Sequence, residues 1–203
     1  LLARVNGKLR ELHKTVRRDC KISFVSMQDT IGLKTYQRSM NLLFLKAIYH
    51  VAGREHLKKV VLHFAVDNGF YYTLQGDVEI NEVLLEETKA YMHKLVEKKL
   101  PLMKSNISTQ EAVDLFHQYK MYDKEKLFKY RRVSRVNIYN VDGFEDYFYG
   151  FMVNHTGYLQ IFDLIHYKDG IVLLMPDKKR PDHIKPFHPS EKVFMVQKEA
   201  EQW

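Results

Sequence analysis

Asp67-Asn68-Gly69-Phe70-Tyr71-Tyr72 is the stretch that best defines the fold of this chain. Its first three residues separate two extended runs, 59–66 and 70–74. Asn68-Gly69 favours a turn, because both residues tolerate the backbone angles that turns require. The two tyrosines then belong to the second run. We therefore predict two strands joined by a turn, with the aromatic side chains packed on a sheet.

The segments on both sides of these strands have helical patterns. Apolar residues crowd most faces of a helix predicted over 35–53, so this helix has to be buried. A second helix fits 81–99, where Asn81 can cap the first turn and lysines gather near the negative end. The residues at 108–111 have the sequence of a capping box and open a third helix.

Later extended runs complete the predicted fold. After a short helix over 123–130, strands are predicted over 135–140, 146–153, 158–164 and 171–175. This pattern gives an α+β fold in which helices pack on an antiparallel sheet. The proline-rich stretch from 176 is expected to run as an extended strap over the surface, with a short strand or ordered edge over 193–196.

The first 34 residues have a different character. Asn6-Gly7 lies between two short runs and is a strong hairpin signal, and a further strand is predicted over 20–25. This piece corresponds to about half of a small β-domain. We therefore predict two parts: a partial β-module over 1–34, and an α+β domain over 35–203 that includes the strap.

The composition excludes several classes of protein. A single cysteine, Cys20, permits neither an intramolecular disulfide nor a cysteine-based zinc cluster, and it favours a reducing, cytoplasmic setting. The longest apolar run, 171–175, is far shorter than the roughly 20 residues that span a bilayer, so no membrane partner is expected. The 32 basic residues exceed the 25 acidic ones, and the formal charge of +7 favours anionic partners such as nucleotides or RNA.

The chain resembles a known family. Arg38-Ser39 at the start of the buried helix, the 67–72 stretch, the 81–99 helix and Gly150 resemble the second additional domain of threonyl-tRNA synthetases. The segment before them resembles the later half of a TGS domain, a β-grasp module. In that editing domain a His-x-x-x-His pair and a Cys-x-x-x-His pair hold a zinc-type metal, which serves to hydrolyse mischarged tRNA. The resemblance implies an editing-like fold over most of the chain.

The metal ligands of that family are replaced in this sequence. The matching positions carry Arg38 and Leu42 for the first pair, and Phe148 and Met152 for the second. Guanidinium has no available lone pair, and the other three side chains offer nothing better than a thioether. The ten histidines contain no His-x-x-x-His pair. We therefore predict that this chain binds no metal.

A closer resemblance is to the N-terminal region of a bacterial uridine kinase-like family, in which a TGS domain and an editing-like domain precede a P-loop kinase domain. The segments that carry it are 127–132, 146–150, 156–159 and 176–203. The chain itself lacks the phosphate-binding loop, because its single Gly-Lys pair, Gly7-Lys8, has leucine where the loop needs a glycine and a hydroxyl. ATP and magnesium are therefore expected only for a kinase domain of the same polypeptide.

Eight residues are candidates for a ligand-binding cleft, and two interpretations stay open for each group. The 67–72 stretch can hold a nucleoside or a tRNA 3′ end, or it can form a turn whose aromatic residues pack on the sheet. A later aromatic group can line a pocket or fill the core. It consists of Tyr147, Phe148 and Tyr149 together with His155 and Tyr158. Arg38 can bind a phosphate or carboxylate, or it can pair internally with a carboxylate such as Asp67. The candidates are Arg38, Asp67, Asn68, Tyr71, Tyr72, Tyr149, His155 and Tyr158.

Two basic runs are candidate contacts for an anion or for an RNA backbone. Charge runs of this length are also typical of a solvated surface, so both interpretations stay open. The residues are Arg131, Arg132, Lys178, Lys179 and Arg180.

These patterns favour a non-catalytic accessory region of a uridine kinase-like protein, regulatory or ligand-binding, derived from an editing domain that has lost its metal ligands. The expected partners are the kinase domain and a nucleotide or RNA. The alternative is an aminoacyl-tRNA editing deacylase or tRNA-binding domain of threonyl-tRNA synthetase type, in which Arg38, His155 and tyrosines position water without a metal. A third, purely structural hypothesis is that the region spaces or dimerises the kinase.

Overall fold

The computed structural model describes residues 1–130 and 132–201. This part of the chain contains five α-helices and ten strands. The helices are α1 Thr30–Ala52, α2 Glu82–Glu97, α3 Thr109–Gln118, α4 Tyr122–Lys129 and α5 Glu191–Ala200. The strands are β1 Leu2–Val5, β2 Lys8–Glu11, β3 Ile22–Val25, β4 Leu57–Val66, β5 Gly69–Gly76, β6 Met103–Ser108, β7 Arg135–Val141, β8 Phe144–Tyr147, β9 Asp163–Tyr167 and β10 Gly170–Leu174.

The strands form three antiparallel sheets. Their strand orders are β2-β1-β3, β4-β5-β10-β9 and β6-β7-β8. The turn between β4 and β5 lies at Asp67 and Asn68, and Asp67 has a φ of 48°. The predicted α+β class, with helices packed on antiparallel strands, is confirmed.

The central helix α1 is buried on most faces, as its apolar composition predicts. Met40, Leu42, Phe44 and Ile48 are all fully buried. The helix ends at Gly53 as expected, but it begins at Thr30 rather than at 35. Its first turn contains a glycine and a lysine instead of an apolar stripe, so periodicity alone does not reveal it.

Three apolar clusters hold the elements together. The largest lies between α1, α2 and one face of the four-stranded sheet, and a second lies under α3 and α4 against β7. The third covers the opposite face of the four-stranded sheet and includes Phe194 of α5. Both predicted helix caps are confirmed: Asn81 accepts a hydrogen bond from the Leu84 amide, and Ser108 and Glu111 form a reciprocal capping box.

The C-terminal segment corrects one prediction. The stretch 193–196 forms part of helix α5, not a strand. A run of four apolar residues fits either structure, and here only Phe194 is buried, whereas Val193, Met195 and Val196 are exposed. The helical period therefore places one aromatic ring on the sheet and leaves its neighbours in solvent.

Two other predicted strands are displaced. The run 146–153 is a strand only as far as Tyr147, because Gly150 has a φ of 117° and the chain leaves the sheet. The run 158–164 starts with a short 3₁₀ turn, in which Thr156 donates a hydrogen bond to the Leu95 carbonyl of α2. Strand β9 therefore begins only at Asp163.

Among the helices that the structure describes, none is both long enough and apolar enough to cross a membrane.

Candidate functional site

The four positions that match the metal ligands of the editing family lie around the middle of α1. Leu42 and Met152 are fully buried, and Phe148 packs against the largest core cluster. Met152 accepts a hydrogen bond from the Ser39 hydroxyl at 3.4 Å, so its thioether is already in contact with a neighbour. Among the described residues, no group of three His, Cys, Asp or Glu side chains is placed to hold a metal ion. The side chains present at these four positions do not fit a divalent metal.

Arg38 is half-buried and is held by the protein itself. Its Nε donates to the Phe151 carbonyl at 3.1 Å, and its terminal nitrogen lies 3.4 Å from the Thr35 hydroxyl. Burial lowers the pKa of Arg38, while Tyr139 and Glu11 act in the opposite direction. The carboxylate near Arg38 is that of Glu11, whereas Asp67, the example given for an internal partner, accepts hydrogen bonds from Lys185 and the His188 amide.

Glu11, at the end of β2, brings a carboxylate into this region. It is only 5% exposed, and its Oε1 accepts a hydrogen bond from the Met152 amide at 3.0 Å. The Tyr139 hydroxyl lies 2.7 Å from Glu11 Oε1 and also 2.7 Å from the Gly150 carbonyl, so its single hydrogen is shared between two acceptors. Burial, followed by the neighbouring Glu11, raises the pKa of Tyr139. We call Glu11, Arg38, Tyr139 and Met152 the Glu11 cluster.

The predicted residues of the 67–72 turn bind the strap instead of facing an open cleft. Asp67 accepts hydrogen bonds from Lys185 Nζ at 2.6 Å and from the His188 amide at 2.8 Å. Burial raises the pKa of Asp67, but these hydrogen bonds outweigh it and the net shift is downward. Asn68 donates to the Lys185 carbonyl at 3.3 Å, and its buried Oδ1 has no hydrogen-bond partner in the described part of the chain.

Tyr71 and Tyr72 point to opposite faces of β5, and each is only 1% exposed. Tyr72 donates to Asn41 Oδ1 at 2.6 Å and packs on Phe44. Tyr71 donates to Asp169 at 2.6 Å and packs against Phe194 of α5. Neither ring can stack on a base in this structure, so of the two interpretations the structure favours packing on the sheet.

The later aromatic group is only partly brought together. His155 stacks on Tyr158 with ring centres 4.4 Å apart, whereas Tyr149 is 81% exposed. The His155 Nδ1 is buried and has no hydrogen-bond partner among the described residues. Burial lowers the pKa of His155, and the nearby Lys99 lowers it further. These effects favour the neutral form of the imidazole, which lies stacked against Tyr158.

The basic candidates lie on the surface. Arg132, Lys178, Lys179 and Arg180 are exposed, and Arg131 lies outside the described residues. Lys178 Nζ donates to the Thr30 hydroxyl at 3.0 Å, at the beginning of α1. The backbone amides of Lys179 and Arg180 donate to the Asp177 carboxylate, so this run forms a turn with its side chains in solvent.

The fold and these contacts define an α+β domain in which the four positions that match the metal ligands of the editing family lie in a region held by packing and hydrogen bonds. No protein-family profile matches the chain. Over most of its length, however, the chain is similar to threonine–tRNA ligases. It is 28% identical to the ligase of Thermotoga maritima over 164 residues, which is 79% of the chain and 25% of the ligase. The resemblance to threonyl-tRNA synthetases is thereby supported.

Two further threonine–tRNA ligases are similar to the chain to about the same extent. The ligase of Carboxydothermus hydrogenoformans is 26% identical over 167 residues, covering 82% of the chain and 26% of the ligase. That of Acidithiobacillus ferrooxidans is 29% identical over 164 residues, covering 79% of the chain and 25% of the ligase. The chain thus spans about a quarter of the length of the ligases that it matches.

Proposed function

We propose that this chain is a non-catalytic accessory region of a uridine kinase-like protein, regulatory or ligand-binding, built from a threonyl-tRNA synthetase-like editing domain that has exchanged its metal site for a structural cluster. The similarity to threonine–tRNA ligases supports the origin of the domain. The replaced ligand positions support the loss of the original chemistry. The kinase parent rests on the sequence resemblance described above.

The Glu11 cluster is the observation that carries this proposal. A hydrolytic metal site needs donors with free lone pairs and an open position for water. Here the only carboxylate of the cluster accepts bonds from the Met152 amide and the Tyr139 hydroxyl, and Lys104 Nζ lies 3.5 Å from its other oxygen. The lone pairs of Glu11 are thus used to join the first sheet to the domain, which is a structural role.

Hydrolysis of mischarged threonine-type tRNA tests the loss of catalysis. The 203-residue chain is incubated with the mischarged tRNA, with and without added zinc, and release of the amino acid is followed over time. Alkaline hydrolysis of the same tRNA serves as the positive control for the assay. We expect release at the rate of the protein-free sample. Turnover that increases with protein concentration would contradict a non-catalytic domain.

The accessory role is tested in the full-length protein. Kinase kcat, KM and nucleotide affinity are compared between the complete polypeptide and a form that lacks residues 1–203. We expect at least one of these quantities to change, since a regulatory or ligand-binding region acts on the activity of its partner domain. Identical values in every measurement would remove the regulatory part of the proposal and would favour a spacer, which sedimentation of the two forms can reveal.

The second candidate function is the metal-free deacylase or tRNA-binding domain, and it is favoured by His155, whose Nδ1 has no hydrogen-bond partner among the residues that the structure describes. A lowered pKa favours the neutral imidazole, which is the form that acts as a general base. The tRNA assay separates the two candidates. Turnover that is lost in His155→Gln, but kept in the control His166→Gln at an exposed histidine, would replace the accessory proposal with the deacylase.

A further inference from the structure

A well-formed cavity lies away from the Glu11 cluster. It has a volume of about 680 Å³ and is enclosed by the end of α1, the start of β4 and the connection between α3 and α4. Tyr49, its first wall residue on α1, is eleven positions beyond Arg38, or about 16 Å along the helix axis. Cavities of roughly 300–1,000 Å³ are typical of small-molecule sites. The residues that matter for its chemistry are Tyr49, Arg54, Lys58, Tyr119, Lys120 and Tyr122.

Arg54 is fixed at this cavity by aromatic rings. Its guanidinium carbon lies 5.0 Å from the ring centre of Tyr49, 5.3 Å from that of Tyr119 and 5.4 Å from that of Phe144. In the described part of the chain, Arg54 forms no salt bridge with a carboxylate. Stacked guanidinium groups keep their hydrogen-bond donors free at the edge, so Arg54 is oriented while its charge stays available to an anion.

Further positive groups surround Arg54. Lys58 and Lys120 line the same cavity, and both are exposed residues. No ion pair occupies either ammonium among the residues described. Among the described residues of the wall the one acid is Glu55, which lies 3.8 Å from His56. The lining therefore carries a clear excess of positive charge, which attracts a negatively charged ligand.

Backbone groups add donors to the same wall. Met121, which lines the cavity, is the N-cap residue of α4 and provides no side-chain cap. The first amides of a helix lack intrahelical acceptors, and they favour anions. Met121 and Tyr122, at the start of this helix, line the same cavity as Arg54, Lys58 and Lys120.

The aromatic residues supply the second half of a ligand site. Tyr119 is held in place because its hydroxyl donates to Glu145 at 3.1 Å. Tyr122 is 59% exposed at the rim, so its ring has a face that a ligand can cover. Stacking of a nucleobase on such a ring is favourable and does not require a particular base.

We propose that this cavity binds a nucleoside phosphate, with the phosphate on Arg54, Lys58 and Lys120 and the base stacked on Tyr122 or Tyr119. A bounded cavity of this size accommodates one nucleotide, whereas an RNA strand needs a groove that continues over several nucleotides. The proposal concerns a different surface from the Glu11 cluster. It does not depend on the loss of editing activity or on the presence of a kinase domain.

Titration calorimetry with AMP, UMP and inorganic phosphate tests the site in the 203-residue chain. We expect both nucleotides to bind, and Arg54→Gln to weaken their affinity about tenfold or more, as for a charged hydrogen bond. Lys58→Gln combined with Lys120→Gln should weaken it further, and Tyr122→Ala should act on the nucleotides but not on phosphate. Arg10→Gln and Lys34→Gln, which remove exposed charges elsewhere, serve as matched controls and should leave binding unchanged.

Three outcomes would overturn the proposal. Nucleotide affinity that is equal in the wild type and in Arg54→Gln would place binding elsewhere. Affinity for inorganic phosphate equal to that for AMP and UMP would reduce the cavity to a simple anion site. Tighter binding of an eight-nucleotide single-stranded RNA without terminal phosphates, sensitive to Arg54→Gln, would identify the surface as an RNA contact instead. None of these results bears on the tRNA deacylation assay, so the two proposals fail separately.

Discussion

The Tyr139 hydroxyl lies 2.7 Å from the carboxylate of Glu11, 128 positions earlier in the chain. This contact joins the end of β2 in the first sheet to β7 in the third. Both side chains are buried, and the Met152 amide donates to the same carboxylate oxygen. The first sheet is therefore anchored to the rest of the domain by a buried acceptor that contacts Met152, one of the four positions that match the metal ligands of the editing family.

Removal of this acceptor should destabilise the chain. Glu11→Ala leaves the buried Met152 amide without a partner, and we expect the free energy of unfolding to fall by about 2 to 3 kcal/mol. Glu11→Gln keeps the shape and one acceptor oxygen, so its cost should be smaller, about 1 kcal/mol. Urea unfolding measures both.

The matched control for this pair is Glu79→Ala, because Glu79 is exposed. Its effect should stay within about 0.5 kcal/mol. If Glu11→Ala unfolds no more easily than Glu79→Ala, then the Glu11 cluster does not stabilise the domain, and the structural role assigned to it under the proposed function would have to be abandoned.

Tyr72 provides a test of the alternatives left open by the sequence. Its hydroxyl donates to the buried Asn41 at 2.6 Å, so Tyr72→Phe leaves an amide oxygen without its donor. We expect a loss of about 1 to 2 kcal/mol in unfolding free energy, with unchanged affinity for AMP and UMP. Tyr149→Phe, on an exposed ring, is the control and should be neutral. A Tyr72→Phe variant of wild-type stability but weaker nucleotide binding would instead indicate a ligand contact.

The pH dependence of stability should reveal the anchoring of α5. Hydrogen bonds from Tyr71 and Lys198 lower the pKa of Asp169 from its ordinary 3.8 to about 2. Because the folded pKa lies below the unfolded one, this carboxylate stabilises the fold above about pH 4, and the contribution is lost as the pH falls towards 2. Urea unfolding at pH 5, 4, 3 and 2.5 should show wild type and Asp169→Asn converging as the solution becomes acidic. A gap that stays constant over this range would contradict the assignment.

Local patterns were sufficient for much of the fold. The cap at Asn81 and the capping box at Ser108 are confirmed because the residues that satisfy the first amides of a helix lie within one turn of each other. The burial of α1 could likewise be predicted from its composition, because apolar residues occupy most of its faces. The prediction of a strand over 193–196 is wrong for a physical reason. Four apolar residues in a row suit a strand or a helix, and packing of Phe194 on the sheet decides between them.

The Glu11 cluster could not be found in the same way. The carboxylate of Glu11 and the hydroxyl of Tyr139 come from strands that are far apart in the sequence. Glu11 ends a strand whose other residues are largely polar, so the sequence gives no sign that its side chain is buried. The one available signal was Arg38, a cation at a former ligand position that needs a nearby negative group. The sequence pointed to Asp67, whose carboxylate is instead engaged by Lys185 and His188.

The last prediction concerns the contact between Gly150 and Arg38. Gly150 has a φ of 117°, and a Cβ at this position would lie 2.7 Å from the Arg38 guanidinium carbon. Gly150→Ala therefore combines backbone strain with a steric clash, and we expect it to cost about 2 to 3 kcal/mol of unfolding free energy. Gly143→Ala shares the positive φ, at 79°, but has no neighbour within 4 Å of the added carbon, so it reports the backbone strain alone, about 1 kcal/mol.

A double-mutant cycle separates the two effects at Gly150. In an Arg38→Ala background the clash disappears while the strain remains, so the cost of Gly150→Ala should fall by at least about 1 kcal/mol, towards that of Gly143→Ala. Equal costs in both backgrounds would mean that the Arg38 side chain simply moves aside. In that case the guanidinium is not held by Phe151 and Thr35, and it would be free to bind an anion from solution, as the other interpretation of Arg38 holds.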